Sequence, residues 1–206
     1  TKKALTVNPP YIRLSKEYDG TPTAVVTAPG SLGGVLTGDS VTLLESARYT
    51  DKDVGSSKSI TVSYTLSGTD ANNYMAPGDT VVADGVITQK QLTVTNFDLV
   101  STKEYDGLAS STINNVACSG IVPTDDVQVS ATATYTSPTA GTNKPITVMY
   151  ALSGADSANY RKPADSIATA TGEIARKQLS VSGTTVANKD YDGTTLASLS
   201  SQGMLG

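Results

Sequence analysis

Carboxylates are the residues of this sequence with the most obvious capacity for chemistry. Asp39, Asp70 and Asp79 recur as Asp125, Asp156 and Asp165, and oxygen-rich loops hold Ca²⁺ with about six to eight ligands. These aspartates are scattered, with no Asp-x-Asp-x-Asp-Gly loop. The closely spaced pair Asp51 and Asp53 has Ser137 and Thr139 as counterparts. Turn formation and capping through Asx hydrogen bonds explain such a scatter more simply than calcium does. Acid/base catalysis needs two carboxylates facing each other across a cleft, whereas Glu17, Asp19 and their copies flank an Asp-Gly turn that accounts for them. Cys118 is the single sulfhydryl. It aligns with Leu32, a slot for a small buried hydrophobe, and the chain has no His to activate it. Lys58/Lys144, Lys90/Lys177 and Asn73/Asn159 supply reactants for an internal Lys–Asn cross-link, although solvated lysine is the simpler role. Ten Tyr invite a sugar-stacking platform, but with no Trp and one Phe they must also fill the core. No catalytic, cofactor-binding or metal-binding residue is therefore expected, and no enzyme.

Composition narrows the classes further. Thirty Thr and 23 Ser make up about a quarter of the 206 residues, with 18 Gly and 9 Pro. That is the make-up of solvent-backed strands joined by turns. The net charge of −4 and a pI near 4.7 lack the basic footprint that nucleic acid requires. One Cys excludes a disulfide framework, and no apolar run approaches the length that spans a bilayer.

The elements that must position these residues repeat. Lys16-Glu17-Tyr18-Asp19-Gly20 returns as Lys103-Glu104-Tyr105-Asp106-Gly107 and as Lys189-Asp190-Tyr191-Asp192-Gly193. ITVSYTLSGTDANNY, 60–74, returns as ITVMYALSGADSANY, 146–160. Gly85-Val86-Ile87 and the Lys90-Gln91-Leu92-Thr93-Val94 that follows match Gly172-Glu173-Ile174 and Lys177-Gln178-Leu179-Ser180-Val181, and the chain's opening Lys3-Ala4-Leu5-Thr6-Val7 matches the same run. A fixed period takes precedence over any single motif. The expected modules are 1–88, 89–175 and a truncated third, 176–206, whose strands should pair with an exposed sheet edge. Ile60, Val62, Tyr64 and Leu66 alternate with polar residues, a half-buried strand, and 81–87 supplies another. Tyr-Asp-Gly reads as a strand end entering a type I′ hairpin turn, and 70–74 as one helical turn with Asp70 at its N-cap. The junctions, 87–94 and 174–181, have no Gly/Ser linker, which predicts limited freedom between neighbours.

With those residues laid out, the chain resembles tandem YDG-type repeats of the YDG/MBG group, found in large bacterial surface and secreted adhesin-like proteins. The resemblance rests on Tyr-Asp-Gly three times, Leu-Ser-Gly-x-Asp-x-x-Asn-Tyr twice and the closing Gly-x-Ile-x-x-Lys/Arg-x-Leu-Ser/Thr-Val. Asp190 in place of Glu, and the missing Asp51/Asp53 pair in the second copy, are departures. The expected fold is all-β: tandem small β-sandwich or β-grasp-like modules arranged as an elongated rod. The resemblance implies a stalk, spacer or adhesive part of an extracellular or cell-surface protein, with direct glycan or protein binding as the alternative. Expected partners are neighbouring repeats of the same chain and a host or cell-surface glycan or protein. Neither nucleic acid, a membrane contact in this stretch nor a cofactor is expected.

Overall fold

The structure is a computed structural model that describes residues 1–166 and 172–206 with side chains and 167–171 as strand backbone. Strands dominate, and among the described residues there is no α-helix. The all-β expectation holds. Two compact units divide the chain, and they cut across the sequence copies. The first comprises 1–98, 114–131 and 149–165; the second comprises 99–113, 132–148 and 166–206.

In the first unit, five strands of copy one form a mixed sheet in the order Ser15–Glu17, Thr80–Thr88, Gly55–Ser67, Thr42–Tyr49, Thr23–Ala24. The central antiparallel pair runs unbroken from Thr42↔Ser67 to Tyr49↔Ile60. Period-two alternation places Ile60, Val62 and Tyr64 inside, as read from the sequence. They pack with Tyr18, Ala24, Ala47, Tyr49 and Ile87, and the same core takes in Leu92 and Tyr160 of copy two.

The two edge strands, Ser15–Glu17 and Thr23–Ala24, are consecutive in the chain. The first pairs parallel with Thr80–Thr88 and the second antiparallel with Thr42–Tyr49. A short link across the whole sheet requires the sheet to curl toward a barrel. Tyr-Asp-Gly is therefore not a hairpin turn. It is the corner that carries the chain from one sheet edge to the other, and only its glycine has positive φ.

The second unit repeats this core with Ala133, Tyr135, Ile146, Val148 and Ile174. Thr102–Glu104 again pairs parallel with Ser166–Ala175, which pairs antiparallel with Gly141–Ser153. The recurring glycine of the closing motif has a steric reason. A Cβ at Gly85 would lie 2.8 Å from the Lys58 carbonyl and 2.9 Å from the Tyr49 ring, and one at Gly172 would meet Lys144 and Tyr135 likewise. The ladder shifts register at both glycines, so each marks a bulge that lets a tyrosine ring lie on backbone.

Each copy opens with a short parallel ladder onto its own Asn-Tyr turn, Lys3↔Tyr74 and Lys90↔Tyr160. Thr80–Thr88 ends one residue before Lys90–Gln91 begins, so the junction has almost no slack. The turn is a single 3₁₀ segment, Ala71–Asn73 or Ser157–Asn159, as expected in place. Asp70 and Asp156 do not cap it. Their carboxylates accept the amides of Ser40 (2.9 Å) and Asp126 (3.0 Å) instead, tying the turn to the preceding loop.

The last segment, expected to join an existing edge, pairs with itself. Val181↔Leu205 and Thr185↔Ser201 form two small antiparallel ladders. They correspond to Val7↔Leu32 and Tyr11↔Ala28 of copy one, so the segment forms the local pairs of its own repeat. Replacing Gly85 with Ala is expected to reduce unfolding free energy by about 1–3 kcal/mol through overpacking against Tyr49 and the Lys58 carbonyl. Urea unfolding of the intact chain measures it.

Candidate functional site

The corner motif is built identically three times. Lys16, Lys103 and Lys189 each reach the aspartate three residues on, at 2.7, 2.7 and 2.6 Å. The same aspartate oxygen accepts the amide two residues further, from Thr21, Leu108 and Thr194 at 2.9, 2.9 and 3.0 Å. These are Asx turns, and Gly20, Gly107 and Gly193 complete them at φ of 80°, 83° and 74°. The lysine hydrogen bond holds the Asp106 and Asp192 carboxyls below the usual range. Lysine, aspartate and glycine are thus engaged inside the corner, which leaves the tyrosine to project from it.

Tyr18 projects into the second copy, within the first compact unit. Its hydroxyl donates to Asp125 Oδ2 at 2.7 Å, and Tyr160 donates to the same oxygen at 2.7 Å. The two rings meet edge to face, centroids 5.4 Å apart, a geometry that aromatic quadrupoles favour. The Val122 amide donates to the Tyr160 oxygen at 2.9 Å, which orients that hydroxyl's own proton toward Asp125.

The other carboxylate oxygen of Asp125 takes Lys52 Nζ at 3.1 Å, and Lys52 also reaches Asp156 at 3.5 Å. Lys52 stands in the loop between the two central strands of copy one. The neighbouring Asp53 accepts Asn159 Nδ2 at 3.0 Å, and the Val54 amide donates back to Asn159 Oδ1 at 2.9 Å. Gly20 lies against Val122 so closely that a Cβ would be 2.9 Å from it. Two segments of copy one, the corner and the 51–54 loop, therefore clasp the Asp-Tyr and Asn-Tyr positions of copy two.

A carboxylate with a fully covered side chain would be costly if unpaired. Burial pushes the Asp125 carboxyl up, but hydrogen bonds from Tyr18, Tyr160 and Lys52 more than offset this and leave its pKa below the ordinary value. Burial raises the Tyr160 hydroxyl to about 12, with Asp125 adding to the effect. Tyr18 is raised for the same reasons, and hydrogen bonds with Tyr18 and Asp125 raise Lys52. At neutral pH the site is a charged carboxylate held by two neutral phenols and an ammonium.

The remaining candidates fall elsewhere. Among the described residues, no three Asp, Glu or Cys side chains gather as metal ligands. Asp39 accepts Tyr74, Asp79 accepts Ser63, and Asp165 accepts Lys162. Neither Lys58 nor Lys144 meets an asparagine. Lys58 pairs with Asp51 at 2.5 Å, and Lys144 donates to Ser137 at 2.6 Å. Cys118 is half-buried, and burial raises its thiol. Seven tyrosines are buried as expected; Tyr11, Tyr105 and Tyr191 are exposed.

A hollow recurs beside the Asn-Tyr turns. It is about 330 Å³ between Lys2, Leu66 and Tyr74, and about 400 Å³ between Gln89, Leu152 and Tyr160. The tyrosines in its walls are buried and offer no open face for stacking. Sequence reasoning treated Tyr18 as core and Asp125 as a turn former. The signal that could have found the joint is the loss of Asp51-Lys52-Asp53 in copy two, where Ser137-Pro138-Thr139 stands.

Comparison with known families matches the YDG domain at residues 1–81 and again at 88–168. No curated protein matches this chain. No solved structure matches it either.

Tyr18→Phe removes a hydrogen bond to a buried charge and is expected to cost about 1.5–3 kcal/mol, while Tyr105→Phe, at an exposed position, stays within about 0.5 kcal/mol. Urea titration of both variants gives the comparison. Acid provides a second test. Because the folded pKa of Asp125 is depressed, its contribution is present at neutral pH and is lost as pH falls below about 4. The melting-temperature advantage of the wild type over Asp125→Asn is expected to hold at pH 7 and to close through that range.

Proposed function

Because the chain belongs to the YDG domain family, matched twice in tandem, we propose that it is a non-catalytic structural repeat of a bacterial extracellular or cell-surface protein, acting as a stalk or spacer. One observation carries this reading. In the first copy the tyrosine of the defining motif, Tyr18, binds the next copy and does not face a ligand. A repeat whose most characteristic side chain is a joint gains its function from being strung together. The near-slackless junction supports the same reading, since it limits how far neighbours can reorient.

The load path is consistent with a mechanical role. Separating copy one from copy two must expose the Asp125 charge. Copies that unfold one at a time, each helped back by its neighbour, would yield under load and recover. Sparse charge and abundant Ser and Thr suit an exposed surface. Neighbouring repeats of the same chain are the principal partners in this reading.

The second reading, a module that binds a surface glycan or protein directly, draws on the hollow that recurs in both copies. Its buried tyrosines favour the spacer over the adhesin.

Antibody against the chain is expected to label intact cells of the source organism, with the label removed by external protease. In single-molecule stretching, the unfolding events are expected to recover on relaxation, with slower recovery in Tyr18→Ala. Label confined to lysed cells overturns the surface assignment. Saturable binding on a glycan or protein array, lost on mutating the hollow, replaces the spacer with the adhesin.

A further inference from the structure

The first copy carries the same receptor as the second, with its face open. Tyr74 donates to Asp39 Oδ2 at 2.6 Å and accepts the Leu36 amide at 3.0 Å. Tyr160, Asp125 and Val122 form the same triad at 2.7 and 2.9 Å. What differs is the cover. Leu36 is 55% exposed, whereas its counterpart Val122 lies half-buried against Gly20. Asn73 is exposed, whereas Asn159 is 5% exposed beneath the 51–54 loop.

The complementary half is also present and unused. Tyr105, the counterpart of Tyr18, is 42% exposed against 1%. A Cβ on Gly107 would meet no atom within 4 Å among the described residues, where one on Gly20 meets Val122. The corner around Tyr105 has the same Lys–Asp bridge and Asx turn as the corner around Tyr18, so it is already shaped for insertion.

The structure assigns the Leu36–Asp39–Tyr74 face as a docking site for the Tyr-Asp-Gly corner of a second copy of this chain. Tyr105 of the incoming molecule donates to Asp39 beside Tyr74, as Tyr18 donates to Asp125 beside Tyr160, and Leu36 covers Gly107. The occupant is argued from the one place in the chain where this receptor is filled, which is filled by this same corner. The two faces differ, so the contact is head to tail and adds molecules without closing.

The contact is weaker than the internal joint for two reasons. Copy two has Pro138 and Thr139 where copy one has Lys52 and Asp53, so neither the ion pair nor the bond to asparagine is reproduced. No covalent tether raises the effective concentration. The inference rests on the joint reading above, and the test separates the two.

Sedimentation of the intact chain from about 10 μM to about 1 mM, the range of weak association, is expected to show mass rising above that of one chain. Leu36→Asp spoils the receptor, and the double variant Tyr105→Ala/Tyr191→Ala removes both exposed plugs, because the corner around Tyr191 has the same bridge and Asx turn and its tyrosine is 98% exposed. All three positions are exposed, so each variant is expected to keep the wild-type melting temperature and to remain monomeric. An equimolar mixture of the two is expected to form a capped dimer, since each supplies what the other lacks. A wild-type chain that stays monomeric at about 1 mM overturns the docking site. So does a mixture that fails to pair, or a variant that associates like the wild type. If Tyr18→Phe still destabilises in that case, the internal joint stands and only the contact between molecules falls.

Discussion

A buried carboxylate that belongs to one copy and is satisfied by another is the constraint on which this molecule depends. Asp125 has no exposed side-chain surface, and its charge is compensated by Tyr160 from its own copy together with Tyr18 and Lys52 from the preceding one. Withdrawing the preceding copy would leave that charge with Tyr160 and the weaker Thr124 contact, and would reopen it to water. Hydrophobic contact alone would allow neighbours to slide. A charged acceptor with two phenol donors converging on one oxygen admits few geometries, so the joint specifies register as well as adding stability.

That constraint explains why compactness does not follow the sequence period. The first compact unit takes in copy one together with the parts of copy two that carry Asp125 and Tyr160. Its hydrophobic cluster continues from Tyr18 and Ile87 into Leu92 and Tyr160 without a gap. A module of some 87 residues buries a modest core by itself. Borrowing apolar and polar contacts from a neighbour makes each copy more stable in an array than alone, the behaviour of repeat proteins with strong nearest-neighbour terms.

Much of the fold was legible in the sequence because alternation is periodic and turns carry marked residues. Ile60, Val62 and Tyr64 fell on the buried parity, and the 3₁₀ turn fell at 71–73. The connectivity of Tyr-Asp-Gly was not legible. Asp-Gly between strand-like runs reads as a hairpin, and only long-range pairing shows its flanking strands at opposite sheet edges. The joint was hidden for a different reason. A repeat defines positions modulo its period, so Asp39 and Asp125 look equivalent in sequence although only one meets a tyrosine from another copy. What breaks the equivalence is neighbourhood, which periodicity discards, and the one local clue was the substitution of Ser137-Pro138-Thr139 for Asp51-Lys52-Asp53.

The arrangement divides labour between an invariant and a variable part of each repeat. Lysine, aspartate and glycine of the motif act on one another, so the corner is rigid before it meets anything, and little ordering entropy remains to be lost when its tyrosine docks. That half is the same in all three copies, down to the 2.6–2.7 Å bridges. The loop between the two central strands is free to vary, because its backbone needs only to close a hairpin. In copy one it adds an ammonium and a carboxylate to the contact, and in copy two it adds neither. An array built this way can hold one geometry at every junction while setting the strength of each junction separately, through a loop whose sequence the sheets do not constrain.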